Sequence, residues 1–582
     1  MPKHRWTILA ALAFLSAWPT ALAAQQAAQR PLVEQSSGIP AAKVAVGHHG
    51  MVASQDSLAT RIGLDVLQKG GNAIDAAVAI GFTLAVTVPK AGNIGGGGFM
   101  LVHIADRNEN TAIDYRETAP AATSADTFLG ADRQADPARS QDSGLGVGVP
   151  GTVAGLSLAL EHFGSGKFTL AELIAPAAGL ARDGIAIRDD LLDSLQREQP
   201  RLSRWPTTAR IFLKADGAAP AAGDKLVQPE LAEVLTAIGR EGPSAFYNGP
   251  IADKIAAAVS QAGGLMTRRD LENYAPVIRS PVSGSYRGYQ VVSMPPPSSG
   301  GVHLIEMLNI LEGYPSAVIG SGSATAHHLE LEAMKLAYAD RAAYLGDSDS
   351  VDVPIERLIS KSHAEELRER IDVRHATPSR RIRPDIMVPG GGNTTHFSVV
   401  DDAGNAVANT YSLNFNFGLG LVAAGTGILL NNELDDFAAK PGAPNAFGLV
   451  GGAANAPGPR KRPLSSMTPT IVFEDGKPVL VTGSPGGSRI ITTVLQVIVN
   501  TIDGHMPIGD AVAAPRLHHQ WLPDEAVVEP HFPPDQVRAL TAMGHTVRVE
   551  SLFGSAHSIA VAPETMTGAA DLRARGAAAA GY

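Results

Sequence analysis

The chain changes pattern at one place, and that change limits the folds open to it. From residue 150 to 370 it reads mainly as amphipathic helices joined by Pro/Gly loops, Thr325 to Leu345 being one example. From Asp372 to Gly392 it becomes basic and interrupted. Arg374, Arg380, Arg381 and Arg383, the prolines Pro378, Pro384 and Pro389, and Gly390-Gly391-Gly392 predict an exposed, mobile linker. Directly afterwards Thr394 to Val400 alternates, turns at Asp402-Ala403-Gly404-Asn405, and alternates again from Ala406 to Asn414. A second hairpin spans Thr470 to Phe473 and Val479 to Thr482. It runs straight into Gly483-Ser484-Pro485-Gly486-Gly487-Ser488 and an apolar helix from Arg489 to about Ile502. Near the N-terminus, residues 56 to 69 predict a helix capped by Asp56 and ended by Gly70-Gly71. Asn72 to Val88 predicts a second, buried helix, and Phe99 to Val102 a strand. Strands framed by helices on both sides predict a layered α/β sandwich.

Among the 582 residues there is no cysteine, which removes thiol nucleophiles, thiolate metal sites and disulfides together. The length suggests up to about four average domains. A formal charge of −10 argues against a nucleic-acid or anionic-membrane partner. Lys3 and Arg5, the apolar run from Trp6 to Trp18 and then Ala21-Leu22-Ala23 read as a signal peptide cut after Ala23. The run is shorter than the roughly 20 residues that span a bilayer. The expectation is a soluble periplasmic or secreted chain that draws its stability from its core.

Several familiar signatures fail on inspection. Gly146-Val147-Gly148-Val149-Pro150-Gly151 has the G-x-G-x-x-G spacing, but it contains a proline and follows no apolar strand. No P-loop and no G-x-S-x-G elbow occurs. The pairs His48-His49, His327-His328 and His518-His519 lack metalloprotease spacing and read as helix-surface or supporting histidines, so no metal and no cofactor is expected.

The junction Asn393-Thr394 carries more. If the chain is cut there, Thr394 gains a free α-amine that can serve as base for its own hydroxyl; otherwise it is an ordinary residue opening a strand. With the turn near 403 to 404, antiparallel pairing sets Thr394 opposite residue 412 or 413, which brings Ser412 and Asn414 beside it. Gly486-Gly487, at a strand-to-helix junction, offers two backbone N–H groups for an oxyanion, or simply a tight turn. Ser465-Ser466 could donate to a carboxylate. Glu433, Asp435 and Asp436 could hold an ammonium, or lie in a solvated loop.

Taken together these segments resemble the γ-glutamyltranspeptidase family (γ-glutamyltransferase/glutathione hydrolase), from about residue 40 to the C-terminus. The motifs that carry the resemblance are Asn393-Thr394-Thr395-His396-Phe397-Ser398, Leu430 to Phe437, Arg462-Pro463-Leu464-Ser465-Ser466-Met467 and Gly483 to Arg489. Asp114-Tyr115-Arg116-Glu117-Thr118-Ala119-Pro120 and Gly95 to Phe99 fit as well. The resemblance implies an α+β N-terminal-nucleophile hydrolase fold, an αββα four-layer sandwich. It would be made as one precursor and cut between Asn393 and Thr394 into a large subunit, 24–393, and a small one, 394–582, sharing a single domain. It implies Thr394 as nucleophile, Ser412 as its support, and Gly486 and Gly487 as the oxyanion hole. Arg116 with Ser465 and Ser466 would hold the α-carboxylate of a γ-glutamyl group, and Asn414, Glu433 and Asp436 its ammonium. Glutathione is the implied donor; water, amino acids or dipeptides are the acceptors.

Two positions depart from some members. Ser412 stands where they have threonine, keeping the hydroxyl. In a lid-like loop from Pro441 to Gly452, Phe447 stands where some bacterial members have tyrosine, so a lid hydroxyl cannot bond Asn414; the expectation is easier water entry. Within the superfamily the nearest alternative is a cephalosporin or glutaryl acylase, which needs no amino-acid clamp. Outside enzymes it is an uncut periplasmic amino-acid-binding protein.

Overall fold

The computed structural model describes residues 41–382 and 394–582. The expected leader and Asn393 lie outside the described residues, and no helix among the described residues is long and apolar enough to cross a membrane.

Two seven-stranded sheets form the centre. In the first, the strand order is Ala42–Gly47, Met566–Asp571, His557–Val561, Lys477–Thr482, Thr470–Glu474, Tyr289–Ser293 and Val282–Tyr286. In the second it is Ala578–Gly581, Gly50–Ser54, Thr395–Asp401, Ala406–Ser412, Gly97–Ile104, Glu109–Tyr115 and Val277–Arg279. Successive residues of a strand face opposite ways, and the cores follow that period. Met51, Ala53, Phe99, Leu101, Val400, Ala406 and Ala408 of the second sheet pack against Val292, Ile471, Phe473, Val481 and Ile559 of the first. Their neighbours Val52, Met100, Val102, Phe397, Val399 and Val407 point outward onto a helical layer that includes Ala73–Thr87, Thr152–Phe163 and Leu170–Asp183. The outer face of the first sheet, with Val291, Val472 and Leu480, packs on Gly300–Glu312, Ala324–Tyr344 and Ile490–Ile502. The layers therefore run helix, sheet, sheet, helix, as expected of the αββα sandwich.

The two N-terminal helices form as the sequence predicts. Asp56 caps Ser57–Gln68, its carboxylate accepting from the amides of Leu58 and Ala59, and Gly70 follows at φ +86°. Asn72 and Asp75 form a capping box for Ala73–Thr87, every residue of which is buried.

Three expectations need correction. The region 150–370 is not only helical: Val277–Arg279, Val282–Tyr286 and Tyr289–Ser293 are strands of both sheets, segments at or next to a sheet edge that are too short to show clear alternation. The helix Ala324–Tyr344 is not amphipathic but buried on nearly all sides from Ala326 to Arg341, because sheet and helices both cover it. The linker does not begin at Asp372. Ser379–Ile382 is helical, with Ser379 fully buried, bonded to Asp524 and accepting from the Trp521 indole. Residues 383–393 lie outside the described residues.

The glycine motif at 146–151 is a packing loop. Gly148 N donates to Asn431 Oδ1, and a Cβ on Gly151 would overlap the Tyr115 carbonyl. Of the histidine pairs, only His327 sits partly exposed on a helix, Ala324–Tyr344. His48 and His49 lie exposed between two strands, whereas His328, His518 and His519 are buried.

Candidate active site

The pairing of Thr395 with Tyr411 fixes the local register. One step further sets Thr394 opposite Ser412. Val400, Ala406 and Ala408 face the space between the sheets, so by alternation His396, Ser398 and Thr410 face it too, as do Thr394 and Ser412 at its end. Thr394 is only 4% exposed. Across the gap, Gly483 approaches so closely that any Cβ there would overlap the His396 imidazole. That ring is held by Thr410 Oγ1 at 2.8 Å and Ser398 Oγ at 3.1 Å. Burial keeps its pKa well below the usual value, so it is neutral, two residues along from Thr394.

Past the strand end the chain turns through Asn414, which is left-handed at φ +75°, a conformation that asparagine tolerates. Its amide donates to Ser412 Oγ at 2.7 Å, and its Nδ2 to Asn432 O at 2.9 Å. These bonds tie the serine beside Thr394 to the segment carrying the acids.

Gly486 and Gly487 join the strand Lys477–Thr482 to the helix Ile490–Ile502 with φ +136° and +58°. Both values favour glycine. A Cβ on Gly487 would lie 2.5 Å from Phe447 Cδ1, so the aromatic ring rests on Gly487. Phe447 also stands edge-on to Phe415, with ring centroids 6.3 Å apart.

The charged part of the site centres on Arg116, which is fully buried. Its Nη1 donates to Glu433, its Nη2 to Asp436 Oδ2 at 2.6 Å, and its Nε to Pro463 O at 3.1 Å. Glu433 to Asp436 is a buried 3-10 turn and not the solvated loop left open by its sequence. Glu117 adds a third carboxylate 3.9 Å from Nη1. One guanidinium thus faces three carboxylates. Burial raises the pKa of Glu433, Asp436 and Glu117 despite the arginine. Burial also opposes the charge of Arg116, but attraction to the acids outweighs it and raises its pKa. Carboxyls that burial pushes toward neutrality would regain their charge beside an ammonium, which makes this a place where one would be stabilised.

Ser465 and Ser466 follow Pro463 on the loop that Arg116 Nε reaches. Ser465 is anchored through its carbonyl, which accepts from Ser299 N at 2.9 Å. Ser466 Oγ accepts from Arg341 Nη2 at 3.3 Å. Every residue expected at the site except Asn393 is therefore found in one connected region.

Three further residues escape sequence reasoning. Arg341 is buried inside a helix whose pattern gave no hint of it. Asn445 donates to Asp436 Oδ1 at 2.9 Å, and its own Oδ1 accepts from the amides of Phe447 and Leu449, so the acids and the Phe447 turn are wired together. Gln520 donates to Phe447 O at 3.2 Å.

Residues 59–581 match the family model described as Gamma-glutamyltranspeptidase. A glutathione hydrolase proenzyme of Escherichia coli (strain K12) is 53% identical over 536 residues, 92% of each chain. Among solved structures, a cephalosporin acylase from Bacillus halodurans superposes with a TM-score of 0.82 at 27% identity, covering 98% of this chain and 99% of that one. The Helicobacter pylori gamma-glutamyltranspeptidase matches at 44% identity with a TM-score of 0.55, over 56% of this chain and 93% of its own. The four layers, the strand-end threonine and the buried clamp agree with the sequence match: this chain belongs to the gamma-glutamyltranspeptidase family of N-terminal-nucleophile hydrolases.

Proposed function

We propose that the chain is a self-processing γ-glutamyl transferase and hydrolase acting on glutathione and related donors. Cleavage between Asn393 and Thr394 frees the Thr394 amine, whose ordinary pKa of about 7.7–8.0 leaves it able to accept a proton near neutral pH. The amine takes the proton of the Thr394 hydroxyl as Oγ attacks the γ-carbonyl of the donor. The amides of Gly486 and Gly487 receive the oxyanion. Collapse breaks the γ-amide bond, and the proton passes to the departing amine, leaving a γ-glutamyl ester on Thr394. Water, or the amine of an amino acid or dipeptide, then attacks that ester and regenerates the enzyme. Ser412, held by the Asn414 amide, supports the nucleophile.

The observation that carries this reading is the buried grouping of Arg116 with Glu433 and Asp436. It has both signs of charge, as an α-amino-acid head group does. The donor carboxylate would take Arg116, Ser465 and Ser466, and its ammonium Asn414, Glu433 and Asp436. A glutaryl chain lacks the ammonium and would leave the acids with Arg116 as their only cationic partner in the clamp. Phe447 would act as a lid on Gly487 without a hydroxyl, favouring hydrolysis. The signal-like N-terminus supports a periplasmic or secreted location.

Purified protein assayed on a γ-glutamyl anilide, with and without a dipeptide acceptor, tests donor class and transfer together. Thr at the N-terminus of a second band and faster anilide release with acceptor are expected. Thr394→Ala should remain uncut and inactive. Equal turnover of the glutaryl anilide would favour the acylase reading; a single uncut wild-type band would overturn the mechanism.

A further inference from the structure

Behind the first sheet, three helices meet around polar side chains that γ-glutamyl chemistry does not use. Gly300–Glu312 carries His303 and Glu306 one turn apart, Ala324–Tyr344 carries Asp340, and Lys361–Arg368 carries His363. All four are buried. Glu306, Asp340 and His363 bring ligand atoms within 4.8 Å of one another. His363 Nε2 stands 2.8 Å from Asp340 Oδ2 and 3.6 Å from Glu306 Oε1. His303 Nε2 stands 3.7 Å from Glu306 Oε2.

A second observation separates this group from an ordinary buried ion-pair network. Neither carboxylate oxygen of Glu306 and neither ring nitrogen of His303 makes a hydrogen bond to any described group, although both residues are 0% exposed. Buried polar atoms are costly to leave unpaired. The other histidine cluster, His328 with Glu332 and His545, behaves differently. His328 meets His545 Nε2 and Asp372 O, both at 2.8 Å, and Glu332 pairs with Lys335. That cluster satisfies itself.

We propose that Glu306, Asp340 and His363 bind a divalent metal ion of zinc type, with His303 behind Glu306 orienting its carboxylate. One imidazole and two carboxylates, with a fourth position for a water, make a mixed N/O set that suits Zn2+ better than Ca2+ or Mg2+, which take oxygen ligands. Ligands at about 2.0–2.1 Å in a tetrahedron stand roughly 3.3 Å apart, and the separations of His363 Nε2 from Asp340 Oδ2 and from Glu306 Oε1, 2.8 and 3.6 Å, bracket that distance. The ion is structural: it joins three helices and takes no part in acyl transfer. It also bears on the clamp. Asp340 is followed by Arg341, which donates to Ser299 Oγ at 3.0 Å and to Ser466 Oγ, so fixing Asp340 fixes the arginine behind the serine pair.

The test uses the full protein, stripped with a chelator and titrated with ZnSO4. Wild type should take up one Zn2+ with a rise in unfolding midpoint of about 3 °C. Glu306→Gln combined with His363→Asn should lose both effects, and His545→Asn should keep them. Because the double variant can fail to fold, zinc-edge X-ray absorption on loaded wild type gives an independent reading, expected to show one imidazole with oxygen ligands. No Zn2+ uptake by wild type, uptake lost only with His545→Asn, or a zinc shell without imidazole would each overturn the proposal.

Discussion

Replacing Asp436 with asparagine isolates the ammonium half of the clamp. Asp436 is one of the acids around Arg116: its Oδ2 accepts from Nη2 at 2.6 Å and its Oδ1 from Asn445 Nδ2 at 2.9 Å. With its side chain 11% exposed, solvent screens it little. The amide keeps an acceptor for Arg116 but removes one negative charge from the group that would receive the donor ammonium. A hydrogen bond to a charged partner contributes about 1.5–3 kcal/mol, which is about a 10- to 150-fold loss of affinity. The readout is inhibition by L-glutamate compared with glutarate, which lacks the ammonium. Asp436→Asn should raise the glutamate inhibition constant by that factor and change the glutarate constant by less than about threefold. The comparison also separates a second effect. An amide facing Asn445 would disturb the turn that positions Phe447, and that disturbance would weaken both ligands alike. Equal losses for glutamate and glutarate would refute the ammonium role of Asp436.

Gly487→Ala should lower kcat by about 10²- to 10³-fold with little change in KM, since the added Cβ meets Phe447 and moves an oxyanion donor; unaltered kcat would remove Gly487 from the hole. Phe447→Tyr should raise the ratio of transfer to hydrolysis, measured as dipeptide product against free glutamate, and an equal or lower ratio would count against a loose lid. Asp435, whose carboxylate accepts from Ser140 Oγ at 2.5 Å and Ala446 N at 2.9 Å, is pushed up to about 6 by burial. Its folded pKa exceeds the unfolded value of 3.8, so its contribution to stability is full below about pH 4 and is lost as pH rises through about 6. Wild type should therefore lose about 3 kcal/mol relative to Asp435→Asn across that window, read from thermal unfolding; a pH-independent difference would refute the shift.

The parts of the fold legible in the sequence are those whose period is local. The Thr395–Asp401 and Ala406–Ser412 hairpin, with its turn at 402 to 405, gives its own register and so the Thr394–Ser412 alignment. Asp56 and Asn72 announce their helices through capping chemistry. The short strands at 277–293 stay hidden, because their character comes from the sheets they join. The site divides in the same way. Residues in compact motifs, such as Gly486 and Gly487, can be picked out from local chemistry. Arg341 and Asn445 cannot, because their roles arise from contacts made across the fold.

Strand order has a consequence for how this molecule can fail. Both sheets contain strands from the two sides of position 394: Gly50–Ser54 lies between Ala578–Gly581 and Thr395–Asp401, and Met566–Asp571 is hydrogen-bonded to Ala42–Gly47. Once the chain is cut, its two pieces are interleaved like shuffled cards and cannot separate without dismantling both sheets. The unbroken chain can refold as a single molecule, but the cut one, if unfolded, must find its partner again at bulk concentration. Maturation would thus exchange reversible folding for persistence, and the lifetime of the mature enzyme would be set by its unfolding rate.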